Sequence, residues 1–101
     1  MIEELKSILG ICCVINVTTK HDVFFSYAPH TNSMYIELYY LGYDEEKHQD
    51  LFIYFCMNEC SIDTFNSLYS AIENLLCCTE ISHKKGALNR FEDINNVRII
   101  K

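Results

Sequence analysis

The chain has 101 residues, and half of them are hydrophobic. That is enough for one core and too little for two, so residues 1–101 are expected to form one domain. Three Gly and one Pro exclude a disordered or linker-like sequence and argue against a loop-built active site. The net charge of −6 argues against general nucleic-acid affinity, because an acidic surface repels phosphates.

The first segment, Met1 to Leu9, reads as a short amphipathic helix. Ile2, Leu5, Ile8 and Leu9 share one face, Glu3 and Glu4 suit the first turn, and Gly10 is the expected stop. The same acids stand where a secretory leader would be positive, and no apolar run approaches a membrane span of about 20 residues. A cytoplasmic chain is therefore expected. Six cysteines, three pairs close in sequence, then read as free thiols filling the core rather than as disulfides, redox centres or metal ligands.

Four strand-like runs follow: Ile11 to Thr18, Val23 to Ala28, Met34 to Leu41 and Leu51 to Met57. Their short polar connections predict antiparallel hairpins in meander order. Ser61 to Cys78 carries an apolar stripe at helical spacing, with Ser61 or Asp63 as its cap. In the tail, Gly86 reads as a breaker, Leu88, Phe91 and Ile94 as one side of a short helix, and Val97 to Ile100 as a last strand. The fold class is α+β: a four-stranded antiparallel meander sheet, a short N-terminal helix, and a long helix after the sheet packed on one face. The order of helix, strands and helix resembles a double-stranded RNA-binding domain in topology alone. Ser61 to Asp63 is neutral to acidic where such a domain needs basic residues, so no function carries over.

Side chains alternate faces along a strand. One set is almost wholly apolar and seats the long helix. The other holds five aromatics, Phe24, Tyr35, Tyr39, Phe52 and Tyr54, with Glu37 among them. An aromatic outer face predicts that something covers it: another part of the chain, a second copy, or a partner. Stacking platforms for single-stranded nucleic acid also use such aromatics, but they are flanked by Lys and Arg. Here the neighbours are Glu37 and the acidic turn with Asp44, Glu45 and Glu46. The charge is also uneven, since residues 1–81 carry three Lys against twelve acids, a balance of −9.

No catalytic, metal or phosphate-binding motif is present. His21, His30, His48 and His83 fall one per predicted loop and read as solvated. No cofactor is expected, and nothing specific in the sequence supports an enzyme, though none is excluded. The preferred function is protein binding through Phe24, Tyr35, Glu37, Tyr39, Asp44, Glu45, Glu46, Phe52 and Tyr54. Its concrete form is an inhibitor or immunity-type protein that blocks a basic, nucleic-acid-processing partner, a phage anti-defence protein being one version. The alternative is a homodimer paired through the aromatic face, and a weaker one is a small-ligand or metal-binding enzyme using loop His and Cys.

Overall fold

The computed structural model describes residues 2–100. The expected helix start at Met1 and the last tail cation, Lys101, lie outside them. The architecture is the expected α+β one: an N-terminal helix, a four-stranded antiparallel meander, and helices after the sheet. In chain order the elements are α1 (Ile2–Thr18), β1 (Asp22–Ala28), β2 (Ser33–Tyr39), β3 (Leu51–Cys56), α2 (Ile62–Glu73), α3 (Lys84–Asn89) and β4 (Arg98–Ile100). The sheet order is β1-β2-β3-β4, and every neighbouring pair is antiparallel.

The N-terminal segment departs from expectation. The expected first strand, Ile11 to Thr18, is the second half of α1, and the helix runs straight through Gly10. Its β-branched content suits a strand, but helical spacing wins because it buries more. Ile8, Ile11, Cys12 and Ile15 fall on one side and are buried, whereas Cys13 and Val17, which a strand would turn inward with Ile11 and Ile15, are exposed. The helix ends where the Thr18 and Thr19 hydroxyls donate back to the Val14 and Ile15 carbonyls. The fourth strand comes instead from the tail, where Arg98–Ile100 pairs with β3 near the expected Val97–Ile100. Gly86 is no breaker either, because it lies inside α3.

The core lies between the inner sheet face and the helices. Ile36, Leu38, Leu51, Ile53 and Phe55 of the sheet meet Ile8, Ile11 and Ile15 of α1 and Phe65, Leu68 and Ile72 of α2. Phe91 and Ile94 close one end. α2 starts on the expected cap: the Ser61 hydroxyl accepts from the Thr64 N–H while the Thr64 hydroxyl accepts from the Ser61 N–H. After Glu73 the expected helix tightens into a 3₁₀ turn, Asn74–Cys77.

Two buried polar groups anchor the loops around β2. His21 is fully buried, so the reading of a solvated loop histidine is corrected. Its Nδ1 accepts from the Leu41 N–H at 2.9 Å, which leaves Nε2 to donate to the Cys78 carbonyl at 2.6 Å. Tyr40 packs on its ring and donates to the carbonyls of Cys78 and Glu80. The second anchor is Asp50. Its carboxylate accepts from Lys84 Nζ at 2.6 Å, Lys47 Nζ at 3.1 Å and the Tyr40 N–H at 2.7 Å. Burial by itself would raise the Asp50 pKa, but the Lys84, Tyr40 and Lys47 donors outweigh it and hold the carboxyl below its ordinary value. The contact with Lys84 also fastens the basic tail to the acidic turn.

Substitutions along α1 separate helix from strand. Gly10→Ala is expected to stabilise the fold by about 0.5–1 kcal/mol, because an added Cβ meets nothing within 4 Å. Ile15→Ala should lose about 2–4 kcal/mol, while Val17→Ala stays within about 0.5 kcal/mol. Thermal melts of the three variants check the order. For Asp50, folding lowers the pKa, so its stabilising effect is complete above the unfolded value near ~4 and fades as pH falls through the folded value. Asp50→Asn should lose about 1–3 kcal/mol at pH 7, and urea titrations below about pH 4 should show that gap closing.

Candidate interaction face

The helices pack against the inner face, and among the described residues no helix covers the outer one. The strand register arrays the outer side chains in rows. Phe24, Glu37, Phe52 and Ile100 lie opposite one another across β1 to β4. Ser26, Tyr35, Tyr54 and Arg98 form the next row, and Asp22 faces Tyr39 beyond. Glu37 therefore has Phe24 and Phe52 beside it across the strands, and Tyr35 and Tyr39 next on its own face along β2.

The five aromatics fall into two clusters. Tyr35 contacts Phe52 and Tyr54, with ring centroids 5.9 and 5.1 Å away. Phe24 and Tyr39 meet edge to face at 5.4 Å, and Tyr43 completes that cluster at 5.6 Å from Phe24 and 5.1 Å from Tyr39. Two local features bring Tyr43 there. Gly42 adopts a φ of +117°, where a Cβ would sit 3.3 Å from the Lys20 carbonyl, and the Tyr43 N–H donates to Asp22 Oδ2 at 2.7 Å. The loop after β2 thus folds back over the start of β1. Tyr39 is left only 7 % exposed, whereas Phe24 is 48 % exposed, and Tyr35, Phe52 and Tyr54 are half-buried.

The Tyr39 hydroxyl lies 3.3 Å from Glu37 Oε2 and donates to it. Burial, and then the Glu37 carboxylate, push the Tyr39 phenol above its ordinary pKa, so it keeps the proton that it donates. Among the described residues no Lys or Arg forms an ion pair with Glu37. Asp44, Glu45 and Glu46 follow Tyr43 in an exposed turn, closed by the Glu46 N–H on Asp44 Oδ1 and the Lys47 N–H on the Asp44 carbonyl. Chemically, the face presents one half-buried carboxylate among aromatic rings, with further carboxylates at one side.

The structure thus groups the five aromatics and Glu37 on one open face and sets Asp44, Glu45 and Glu46 beside it. Sequence reasoning missed Tyr43, Arg98 and Ile100 on this face. The signal for Tyr43 was the Gly-Tyr pair after β2, and the signal for Arg98 and Ile100 was the period-two pattern of the last strand. The metal and thiol readings gain nothing in geometry: among the described residues no three His, Cys, Asp or Glu side chains are placed to hold a metal ion. Core filling describes Cys12 and Cys60, which are buried, but Cys13 and Cys77 are exposed. Among the described residues no helix is long and apolar enough to cross a membrane. Comparison of the chain with protein-family models, with curated proteins and with solved structures finds no match.

Burial, reinforced by neighbouring Cys13, pushes the Cys12 thiol up to about 12, and burial with Cys56 and Glu59 nearby pushes Cys60 up to about 11. In a disulfide-exchange titration at pH 8, Cys13 and Cys77 should react first. Cys12 and Cys60 should react only on unfolding. Fast labelling of either buried thiol in the native protein would contradict this order.

Proposed function

We infer that this protein is a binding module whose outer sheet face docks a basic segment of another protein. The observation that carries the reading is Glu37, a half-buried carboxylate held by Tyr39, ringed by aromatic side chains and unpaired with Lys or Arg among the described residues. A guanidinium or ammonium seated there gains a charge-assisted hydrogen bond from Glu37 and cation–π contact from the rings. Tyr and Phe serve as rigid anchors at such interfaces. The Asp44–Glu46 turn adds the acidic field that speeds encounter with a basic surface. The form that fits best is an inhibitor that occupies the basic surface of a nucleic-acid-processing protein.

Face-to-face pairing of two copies is disfavoured by the same residue. A two-fold contact centred on this face would bring two Glu37 carboxylates together in a partly desolvated setting. Single-stranded nucleic acid meets the same repulsion, and among the described residues of the paired rows Arg98 is the one cation to offset it.

Tyrosine fluorescence titration with an arginine-rich peptide and with an oligothymidylate tests the reading. The peptide should bind and the oligonucleotide should not. Glu37→Gln should weaken the peptide by about fivefold or more, near 1 kcal/mol, and raised salt should weaken it further. Equal binding by Glu37→Gln, or preference for the oligonucleotide, would overturn it. For the inhibitor form, a low-salt pull-down from host extract that retains nothing, or only the bait itself, would end the idea.

A further inference from the structure

β1 is an edge strand, and its free side carries a second feature. The Asn16 side chain reaches from α1 to the backbone of Val23: Asn16 Nδ2 donates to the Val23 carbonyl at 2.9 Å, and the Val23 N–H donates to Asn16 Oδ1 at 2.7 Å. This amide makes the two hydrogen bonds that a residue of a neighbouring strand would make. Both Val23 groups therefore point away from β2. By the two-residue period of an antiparallel strand, so do the N–H and C=O of Phe25 and Tyr27. No hydrogen-bond partner for them is found among the described residues.

Edge strands are commonly blunted by Lys, Pro or a bulge. From Val23 to Ala28 the sequence Val-Phe-Phe-Ser-Tyr-Ala has none of these charges or prolines, and Pro29 follows only past the strand end. Phe25 and Tyr27 belong to the inner face by alternation, yet they are 39 % and 50 % exposed. The cause lies in α1. Ile2, Leu5, Leu9 and Asn16 form one helical stripe along the β1 edge. At Asn16 the stripe meets the strand. Towards the N-terminus a groove of about 750 Å³ separates them, walled by Ile2, Leu5, Leu9, Phe25 and Tyr27 and floored by Met34.

We propose that this groove receives an extended peptide segment of another protein, which continues the sheet by pairing with Phe25 and Tyr27. Its residues opposite Phe25 and Tyr27 project to the inner side and are apolar, because they enter the groove between α1 and β1. The alternate residues emerge beside Phe24. At its closed end the gap is spanned by the single Asn16 side chain, which suits an extended segment rather than a second folded copy. Charge points the same way. The groove lining is uncharged and the chain as a whole is at −6, so a neutral or basic-flanked segment is accepted and a like-charged copy is repelled. This site is distinct from the outer face and does not depend on that face having a partner.

The probe is a random peptide library displayed on filamentous particles, selected on the full chain and counter-selected on Phe25→Pro. That substitution removes the outward N–H together with the Phe25 ring that walls the groove, at an edge position where proline is tolerated, and circular dichroism checks that the fold is kept. Leu5→Lys, which puts a charge in the groove wall, is the second variant. The expected result is a set of peptides with apolar residues at alternate positions that bind the native chain and lose affinity for both variants. With a selected peptide bound, amide exchange at Phe25 and Tyr27 should slow by about tenfold or more. No enrichment, equal binding to the folded variants, or peptides that protect the outer face instead would overturn the proposal. So would concentration-dependent protection of Phe25 and Tyr27 without peptide, which would make a second copy the occupant.

Discussion

The packing of α1 against one side of the sheet organises the rest of this molecule. Ile8, Ile11, Cys12 and Ile15 bury one helical stripe in the core beside α2, and together the two helices cover the inner face except along the β1 edge. A four-stranded sheet has two faces, and this chain has helices for one. The outer face and the β1 edge are left open as a consequence, not by separate design. The angle of α1 matters as much as its burial. Its C-terminal end touches β1 through Asn16, while its N-terminal end stands away and opens the groove.

Polar groups then hold the loops that shape the open face. The loop after β2 is tied at several points: Leu41 to His21, Tyr43 to Asp22, and Tyr40 to Asp50. Leu41 takes a left-handed φ of 64°, which a leucine adopts only when its surroundings impose it. The ring of His21 and the carboxylate of Asp50 are thus structural groups, and their satisfied hydrogen bonds argue against reading them as catalytic. The surface chemistry lies elsewhere: aromatic rings, one half-buried carboxylate, and a strand edge with unused hydrogen-bonding groups.

Much of this was legible residue by residue. The period-two alternation in Val23–Ala28, Met34–Leu41 and Leu51–Met57 set the strands, their faces and the antiparallel order through short polar connections. It also placed Phe24, Tyr35, Glu37, Tyr39, Phe52 and Tyr54 on one side. The Ser61 cap and the stripe after it marked α2 within a few residues. The segment Ile11–Thr18 misled because β-branched residues satisfy a strand pattern locally. Only the larger burial available to Ile8, Ile11, Cys12 and Ile15 together decides for helix, and that burial exists only once β2, β3 and α2 are in place. His21 was misread for the same reason, since its partners at Leu41 and Cys78 are distant in sequence.

By itself, the sequence determined the fold class, the two sheet faces and the concentration of aromatics and carboxylates on one of them, because alternation and composition are local properties. Tertiary structure alone decided that no helix among the described residues covers this face, that Tyr43 joins it, and that Arg98 and Ile100 complete its rows. It alone decided, too, that β1 is an edge with Asn16 standing in for one residue of a missing strand. Those facts depend on which elements meet in space, and the meeting is set by long-range burial that no window of residues contains.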